Sequence, residues 1–277
     1  MIKLPNTIAP ASPILAKLQE YQDEIDRLTT FTERSEKAKA VFGSRNKIGN
    51  TVFDAIKVKL SDMCSGARRC VYCEDSVGDE VEHIRPKDLY PGVCFSWTNY
   101  VYACGNCNGP KNNKFAVFRH SDGQFVEVNP PRGQQAAEPP AGDDALINPR
   151  IEDPFAYCML DLISTFQFVI TAPAGTPEHQ KAEYTINTVL RLNEREFLRK
   201  SRRSAFENYK ARLYQYVHKR NAGASAGKLQ LMREGIQTEA HPTVWKEMQR
   251  YHRRGILRNV DPDLDDLFLA EPNALNW

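Results

Sequence analysis

The first quarter of the chain carries two stretches in which apolar residues recur every three to four positions. The first lies between Ile14 and Leu28, with charged residues between its apolar ones, and the second follows Asn50 and Thr51. This period is that of an amphipathic helix that buries one face. We therefore predict two N-terminal helices. Asn50 or Thr51 can cap the second one, because either side chain can accept a hydrogen bond from a free backbone N–H group.

The pattern changes in the second half of the chain. The run FQFVIT at 166–171 alternates aromatic and β-branched residues, as a strand does. Two helices are then predicted to meet near Asn193, since Asn193 and Glu196 have the spacing of a capping box. A further helical stretch is predicted over 228–254. The pattern as a whole predicts an α+β fold that is mainly helical.

One segment between these halves has no apolar period. Residues 129–142 read NPPRGQQAAEPPAG and are rich in proline, glycine and alanine, which predicts a linker or a long surface loop. The predicted organisation has an N-terminal helical segment (1–65), a central cysteine-bearing core (66–128), this linker (129–142) and a C-terminal, mostly helical accessory region (143–277).

Composition narrows the class of protein. The 277 residues are 41% hydrophobic and 26% charged, with a formal net charge of +2, which is ordinary for a globular protein and gives no whole-chain preference for polyanions. Basic residues are nevertheless concentrated between Arg195 and Arg220, a segment that contains nine Lys or Arg residues and only two Glu residues. No run resembles a signal peptide or a membrane span, so we expect a cytoplasmic protein.

Four of the seven cysteines form two Cys-x-x-Cys pairs separated by thirty residues. The four are Cys70, Cys73, Cys104 and Cys107. Four thiolates at this spacing are the ligand set of a tetrahedral structural Zn²⁺, whereas an odd total of cysteines argues against a disulfide framework. The spacing predicts a zinc site, with Cys64, Cys94 and Cys158 as free thiols.

The insert between the pairs carries the candidate chemistry. Glu82 and His83 are adjacent, Asn99 follows, and Asn108 comes directly after the last cysteine. A carboxylate and an amide oxygen suit a hard divalent cation, and a neutral histidine beside them can take a proton from an attacking water. These are the parts needed for phosphodiester hydrolysis at one metal ion.

Residues Cys70 to Lys114 resemble a zinc-stapled HNH nuclease with the ββα-metal fold. The resemblance rests on Cys-x2-Cys, an acidic residue and His with Pro three residues after the His, Trp-x-Asn, and Cys-x2-Cys-Asn-x-x-Lys. It implies that His83 is the general base, that Glu82 and Asn108 hold a catalytic Mg²⁺ or Mn²⁺, and that Asn99 holds the strand or loop that orients His83. The residue before the histidine is usually Asp in this family, and Glu82 is one methylene longer.

A looser resemblance extends over residues 55 to 215. EHIRPK, LINPRIEDP and TINTVLRLNEREFLRKSRR are similar to the HNH nuclease subunits of Septu-type and retron-associated antiphage defence systems. This resemblance implies an ABC/SMC-like ATPase as partner and nucleic acid as substrate, with DNA expected and RNA as the alternative.

Several alternatives stay open at the level of sequence. Asn108 could cap the following helix instead of binding metal, and Asn112 and Asn113 are rival amides. Four basic residues near the motif are candidates for binding substrate phosphates: Arg85, Lys87, Lys111 and Lys114. His120 is a reserve candidate for the base. The whole unit could also be a zinc-stabilised binding adaptor without catalysis.

Overall fold

The computed structural model of the protein describes residues 1–5, 7–129, 134 and 136–277. The fold is α+β, and about half of the chain is helical. The α-helices are α1 (Ser12–Asp26), α2 (Phe31–Arg45), α3 (Thr51–Asp62), α4 (Gly105–Lys111), α5 (Pro177–Glu183), α6 (Glu196–Asn221), α7 (Ala226–Gln237), α8 (Pro242–Arg253), α9 (Leu257–Val260) and α10 (Pro262–Ala270). The strands are β1 (Glu80–His83), β2 (Tyr100–Ala103), β3 (Ala116–Arg119), β4 (Phe125–Glu127), β5 (Gly142–Asp144), β6 (Cys158–Leu160) and β7 (Phe168–Ile170).

Three helices, rather than two, form the N-terminal segment. The predicted α1 and α3 are present, and the Asn50 side chain caps α3 by accepting hydrogen bonds from the backbone N–H groups of Val52 and Phe53. The pattern did not predict α2, whose buried residues include the small Ser35 and Ala38 and so give a weak apolar stripe. A capping box at Thr30 starts it instead.

The antiparallel pair β1–β2 lies between two hydrophobic cores. His83 of β1 is in register with Tyr100 of β2. Side chains alternate along β2, so Tyr100 and Tyr102 pack on α1–α3, while Val101 and Ala103 join the core formed with the cysteines and the C-terminal region. Both faces of this short ribbon are therefore covered, which explains why it is stable with only two strands.

The predicted linker contains part of a sheet. Residues 130–133 and 135 of this segment lie outside the described residues. Gly142, its last residue, belongs to β5. Strand β5 pairs with β3 in a three-stranded sheet of order β4-β3-β5. A Cβ atom at Gly142 would lie 2.6 Å from the carbonyl oxygen of Phe118, so the close strand contact requires glycine there.

Two boundaries in the C-terminal region differ from the predictions. Strand β7 confirms the strand at FQFVIT, but Asn193 does not cap α6, because its side chain bonds the backbone N–H and carbonyl of Phe168 and Arg195 occupies the cap position. The stretch 228–254 is two helices, α7 and α8, separated at His241, which has a left-handed backbone conformation before Pro242.

In the described part of the chain, no helix is both long enough and apolar enough to cross a membrane.

Candidate functional site

The two Cys-x-x-Cys pairs meet in one buried cluster. The Sγ atoms of Cys70, Cys73, Cys104 and Cys107 all lie within 4.8 Å of one another, and those of Cys73 and Cys104 are 3.7 Å apart. Four sulfurs about 2.3 Å from a tetrahedral zinc ion would be about 3.8 Å apart. The cluster can therefore hold a metal ion such as zinc.

The surroundings of the cluster also suit thiolates. The Arg195 guanidinium, at the start of α6, donates to Cys107 Sγ at 3.4 Å and 3.5 Å and to the carbonyl oxygen of Asn106. A cation from the C-terminal region thus lies against a group of potential anionic ligands, as outer-shell partners of metal sites do.

The cysteine cluster adjoins a β1–β2–α4 unit that carries the predicted catalytic residues. His83 ends β1, Asn99 immediately precedes β2, and Asn108 lies inside α4. The second Cys-x-x-Cys pair spans the start of α4, because Cys104 occupies its N-cap position and Cys107 lies in its first turn. Metal binding by the cysteines would therefore fix α4 against the strands.

His83 is buried and its ring is held on several sides. Its Nε2 lies 2.9 Å from the carbonyl oxygen of Cys94. Its ring packs edge-on against the rings of Phe42 and Tyr100, with 4.5 Å and 5.1 Å between the ring centroids. A carbonyl oxygen only accepts hydrogen bonds, so Nε2 carries the proton and Nδ1 carries the free lone pair. Burial lowers the pKa of His83 to about 3, which keeps the imidazole neutral.

Asn99 joins the loop after β1 to the segment before β2. Its Oδ1 accepts from the backbone N–H of Arg85 at 2.8 Å, and its Nδ2 donates to the carbonyl oxygens of Arg85 and Val93 at 3.0 Å and 3.1 Å. Val93 directly precedes Cys94, whose carbonyl oxygen bonds His83. The amide therefore connects the two segments that hold the imidazole in place.

Glu82 is buried and already has a cationic partner. Lys111 Nζ donates to Glu82 Oε1 at 2.5 Å and to the carbonyl oxygen of His83 at 2.8 Å. Burial raises the pKa of Glu82, and the Lys111 ammonium opposes that effect. The other carboxylate oxygen, Oε2, makes no hydrogen bond to the described residues, so it can bind a ligand in the pocket that Glu82 lines.

Asn108 faces Glu80. Its Nδ2 donates to Glu80 Oε2 at 2.6 Å, one turn of α4 before the Lys111–Glu82 contact. The idea that Asn108 caps the helix is wrong, because α4 begins at Gly105. Sequence analysis did not single out Glu80, although the strand period of two places it on the same face as Glu82.

Glu82, His83 and Asn108 line one open pocket of about 560 Å³, whereas Asn99 does not line it. The core contributes Glu80, Glu82, His83 and Asn108, and the N-terminal helices contribute Phe42, Asn46 and Lys57. Nothing in the sequence pointed to that second group, because it comes from helices remote in the chain. Of the rival amides, both Asn112 and Asn113 also line the pocket.

The predicted substrate-binding residues are placed differently from one another. Lys87 lines the pocket, with its Nζ 3.4 Å from Asp88 Oδ1. Lys111 is fully buried against Glu82 and does not line the pocket, so the prediction that it binds substrate phosphates is wrong. Arg85 is paired with Asp144 at 2.8 Å, and Lys114 is half-buried and does not line the pocket.

The basic helix α6 is largely occupied by contacts within the chain. Arg202 is buried and donates to the carbonyl oxygens of Phe166 and Leu192. Three further residues form ion pairs: Lys210 with Asp261, Arg212 with Glu239 and Arg220 with Glu271. These contacts explain much of the local positive charge without a nucleic-acid partner.

His120 is exposed beside Asp143 on the β3–β5 sheet and does not line the pocket.

Comparison with known proteins gives one partial similarity. No protein-family model and no solved structure matches the chain significantly. A segment of 68 residues is 38% identical to the Septu protein PtuB of Bacillus thuringiensis. The match covers 23% of this chain and 26% of that protein, so the similarity concerns about a quarter of each.

Proposed function

We propose that this protein is a metal-dependent endonuclease of the HNH type that hydrolyses phosphodiester bonds of nucleic acid, with DNA as the expected polymer and RNA as the alternative. One observation carries the proposal: a neutral histidine, fixed through Nε2 by the Cys94 carbonyl, lines a pocket that also contains carboxylate and amide oxygens. That combination is what general-base hydrolysis at a divalent ion requires.

His83 acts as the general base in this proposal. Because Nε2 donates to Cys94, the lone pair on Nδ1 takes the proton from the attacking water. Phe42 and Tyr100 restrict rotation of the ring, and Asn99 holds the backbone on both sides of it. A base held in one orientation loses little entropy when the reaction begins.

The oxygen ligands for the catalytic ion come from β1 and α4. Glu82, through Oε2, and Asn108 are the proposed ligands, and Glu80 provides a further carboxylate in the same pocket. Oxygen donors of this type fit Mg²⁺ or Mn²⁺. When bound, the ion supplies polarisation of the scissile phosphate and neutralisation of charge on the leaving oxygen. The buried sulfur cluster would hold Zn²⁺ as a separate, structural ion.

The partial similarity to the Septu protein PtuB supports a place in Septu-type antiphage defence. We further propose that an ABC/SMC-like ATPase is the partner and provides activation or target selection. A nuclease core that contacts phosphates positions its substrate without reading bases, so selectivity would come from such a partner.

One contact favours a second candidate function, a zinc-stabilised adaptor without catalysis. Lys111 already neutralises Glu82, as expected of a carboxylate that serves only to join α4 to β1. The adaptor keeps the zinc cluster and the fold but requires neither His83 nor a divalent ion in the pocket.

A cleavage assay separates the two functions and identifies the polymer. The purified chain, alone and with any ABC/SMC-like ATPase encoded beside it, is incubated with plasmid DNA and with total RNA in Mg²⁺ or Mn²⁺. We expect cutting that EDTA stops and added Mg²⁺ restores, while zinc stays bound. Folded, zinc-loaded protein that cuts neither polymer under any of these conditions would favour the adaptor.

A further inference from the structure

We propose that Lys57, on α3 of the N-terminal helical segment, binds a backbone phosphate of the nucleic acid held in the His83 pocket. This inference rests on the proposed function and deepens it, because it makes the N-terminal helices part of the substrate site. Lys57 lies 26 positions before His83 in the chain but lines the same pocket.

The position of Lys57 follows from the packing of α3. This helix buries Val52, Phe53, Ile56 and Leu60 on one face. Phe53 contacts the rings of Phe42 and Tyr100, the same two rings that hold His83. Lys57 lies one helical turn after Phe53 and so extends from the same face, at the edge where α3 meets the pocket.

The charge balance of the pocket makes Lys57 distinctive. Among its lining residues the acids are Asp79, Glu80 and Glu82, and the bases other than His83 are Lys57 and Lys87. Lys87 lies near Asp88, whereas Lys57 forms no ion pair or hydrogen bond with any residue that the structure describes. Its ammonium is therefore available to an external anion.

The nature of that anion follows from the rest of the pocket. The carboxylates Glu80 and Glu82 would repel any anion that enters the pocket. A divalent ion bound between these carboxylates and a phosphodiester removes that repulsion only for the phosphate that it contacts. A neighbouring phosphate of the same strand needs a separate cation. Lysine is well suited to this role because its long flexible stem delivers a point charge without demanding a fixed geometry.

The α3 helix itself offers a matched control. Lys59 is two residues away, is also half-exposed, and pairs with Asp62 at 2.8 Å, but it does not line the pocket. Replacing either lysine by glutamine removes one charge from the same helix. A general effect of net charge on nucleic-acid binding would appear in both variants, whereas a phosphate contact in the pocket would appear only in Lys57→Gln.

The test measures binding without turnover. In a His83→Ala background, fluorescence anisotropy gives the affinity for short labelled DNA and RNA duplexes between about 50 and 200 mM salt. We expect Lys57→Gln to weaken binding by about three- to tenfold at low salt and to reduce the slope of log affinity against log salt by about one. Lys57→Arg should retain binding, and Lys59→Gln should match the parent.

Two outcomes would overturn the inference and are distinguishable. If the parent binds nucleic acid and Lys57→Gln has the same affinity and salt slope, the phosphate site is absent while the nuclease proposal stands. If the parent neither binds nor, with His83 restored, cuts nucleic acid, the proposed function fails and the inference fails with it.

Discussion

Lys111 Nζ lies 2.5 Å from Glu82 Oε1, and both side chains are buried beneath the candidate site. The pair joins α4 to β1 and engages one of the two carboxylate oxygens of Glu82. We therefore propose that Lys111 positions Glu82, instead of binding a substrate phosphate as the sequence predicted.

We expect Lys111→Met to destabilise the protein by about 3–5 kcal/mol, because it leaves the Glu82 carboxylate buried without a partner. Adding Glu82→Gln removes that charge and should recover most of the loss. Denaturant unfolding of the two single variants and the double variant measures the coupling. Lys59→Met, which breaks an exposed pair, should cost less than about 1 kcal/mol. Equal unfolding midpoints for Lys111→Met and Lys59→Met would contradict a stabilising pair.

Zinc removal should unfold the core. Within the described residues the four sulfurs form a group that could hold a metal ion, and that ion would join the Cys70–Cys73 loop to the start of α4. Structural zinc contributes folding free energy directly. Cys104→Ser should lose bound zinc, measured by elemental analysis, and lose cooperative unfolding. Cys64→Ser, outside the cluster, serves as the control and should keep one zinc per chain. A folded Cys104→Ser protein with full zinc content would disprove the assignment.

Asn99→Ala should reduce cleavage while leaving zinc bound. The substitution leaves the backbone N–H and carbonyl of Arg85 and the carbonyl of Val93 without their partner, at about 1 kcal/mol or less for each of these part-buried hydrogen bonds. The loop that positions His83 then loosens. The single-turnover rate is the measurement, and exposed Asn259→Ala is the control. An unchanged rate in Asn99→Ala would show that the amide does not hold the site.

His83 should make stability depend on pH in a defined direction. Its pKa is about 3 in the folded protein and near 6.5 when unfolded, so the unfolded chain binds the proton more readily between these values. The free energy of unfolding therefore decreases as pH falls from about 6.5 toward 3, by at most about 1.4 kcal/mol per pH unit from this residue. Measured between pH 4 and 7, His83→Gln should lose this contribution and exposed His120→Gln should retain it. The same pH dependence in both variants would assign the effect elsewhere.

The sequence was most informative where local chemistry determines structure. Each Cys-x-x-Cys pair has the spacing of two ligands of one metal ion, and the two pairs together predicted the cluster that the fold forms across a gap of thirty residues. Asn50 or Thr51 was predicted to cap α3, and Asn50 does so, because capping depends on neighbouring residues alone. His83 ends β1, Asn99 immediately precedes β2 and Asn108 lies in α4, and their catalytic roles stay a prediction.

Contacts between distant segments were beyond such reasoning. Lys111 and Glu82 are 29 positions apart, and only the packing of α4 on β1 shows that they pair. Phe42 and Lys57 reach the pocket from helices with no catalytic motif, and α2 escaped prediction because small residues fill part of its buried face. Asn193 had the spacing of a capping box, but a tertiary contact with Phe168 engages its side chain.

The most direct test of the account compares two histidine substitutions in one cleavage assay. His83→Ala removes the proposed base, while His120→Ala removes an exposed histidine outside the pocket, and both proteins should keep their zinc and their fold. We predict that His83→Ala lowers the Mg²⁺-dependent cleavage rate by at least about a hundredfold and that His120→Ala cuts at the wild-type rate. Cleavage by His83→Ala at the wild-type rate would contradict the central claim that His83 is the general base.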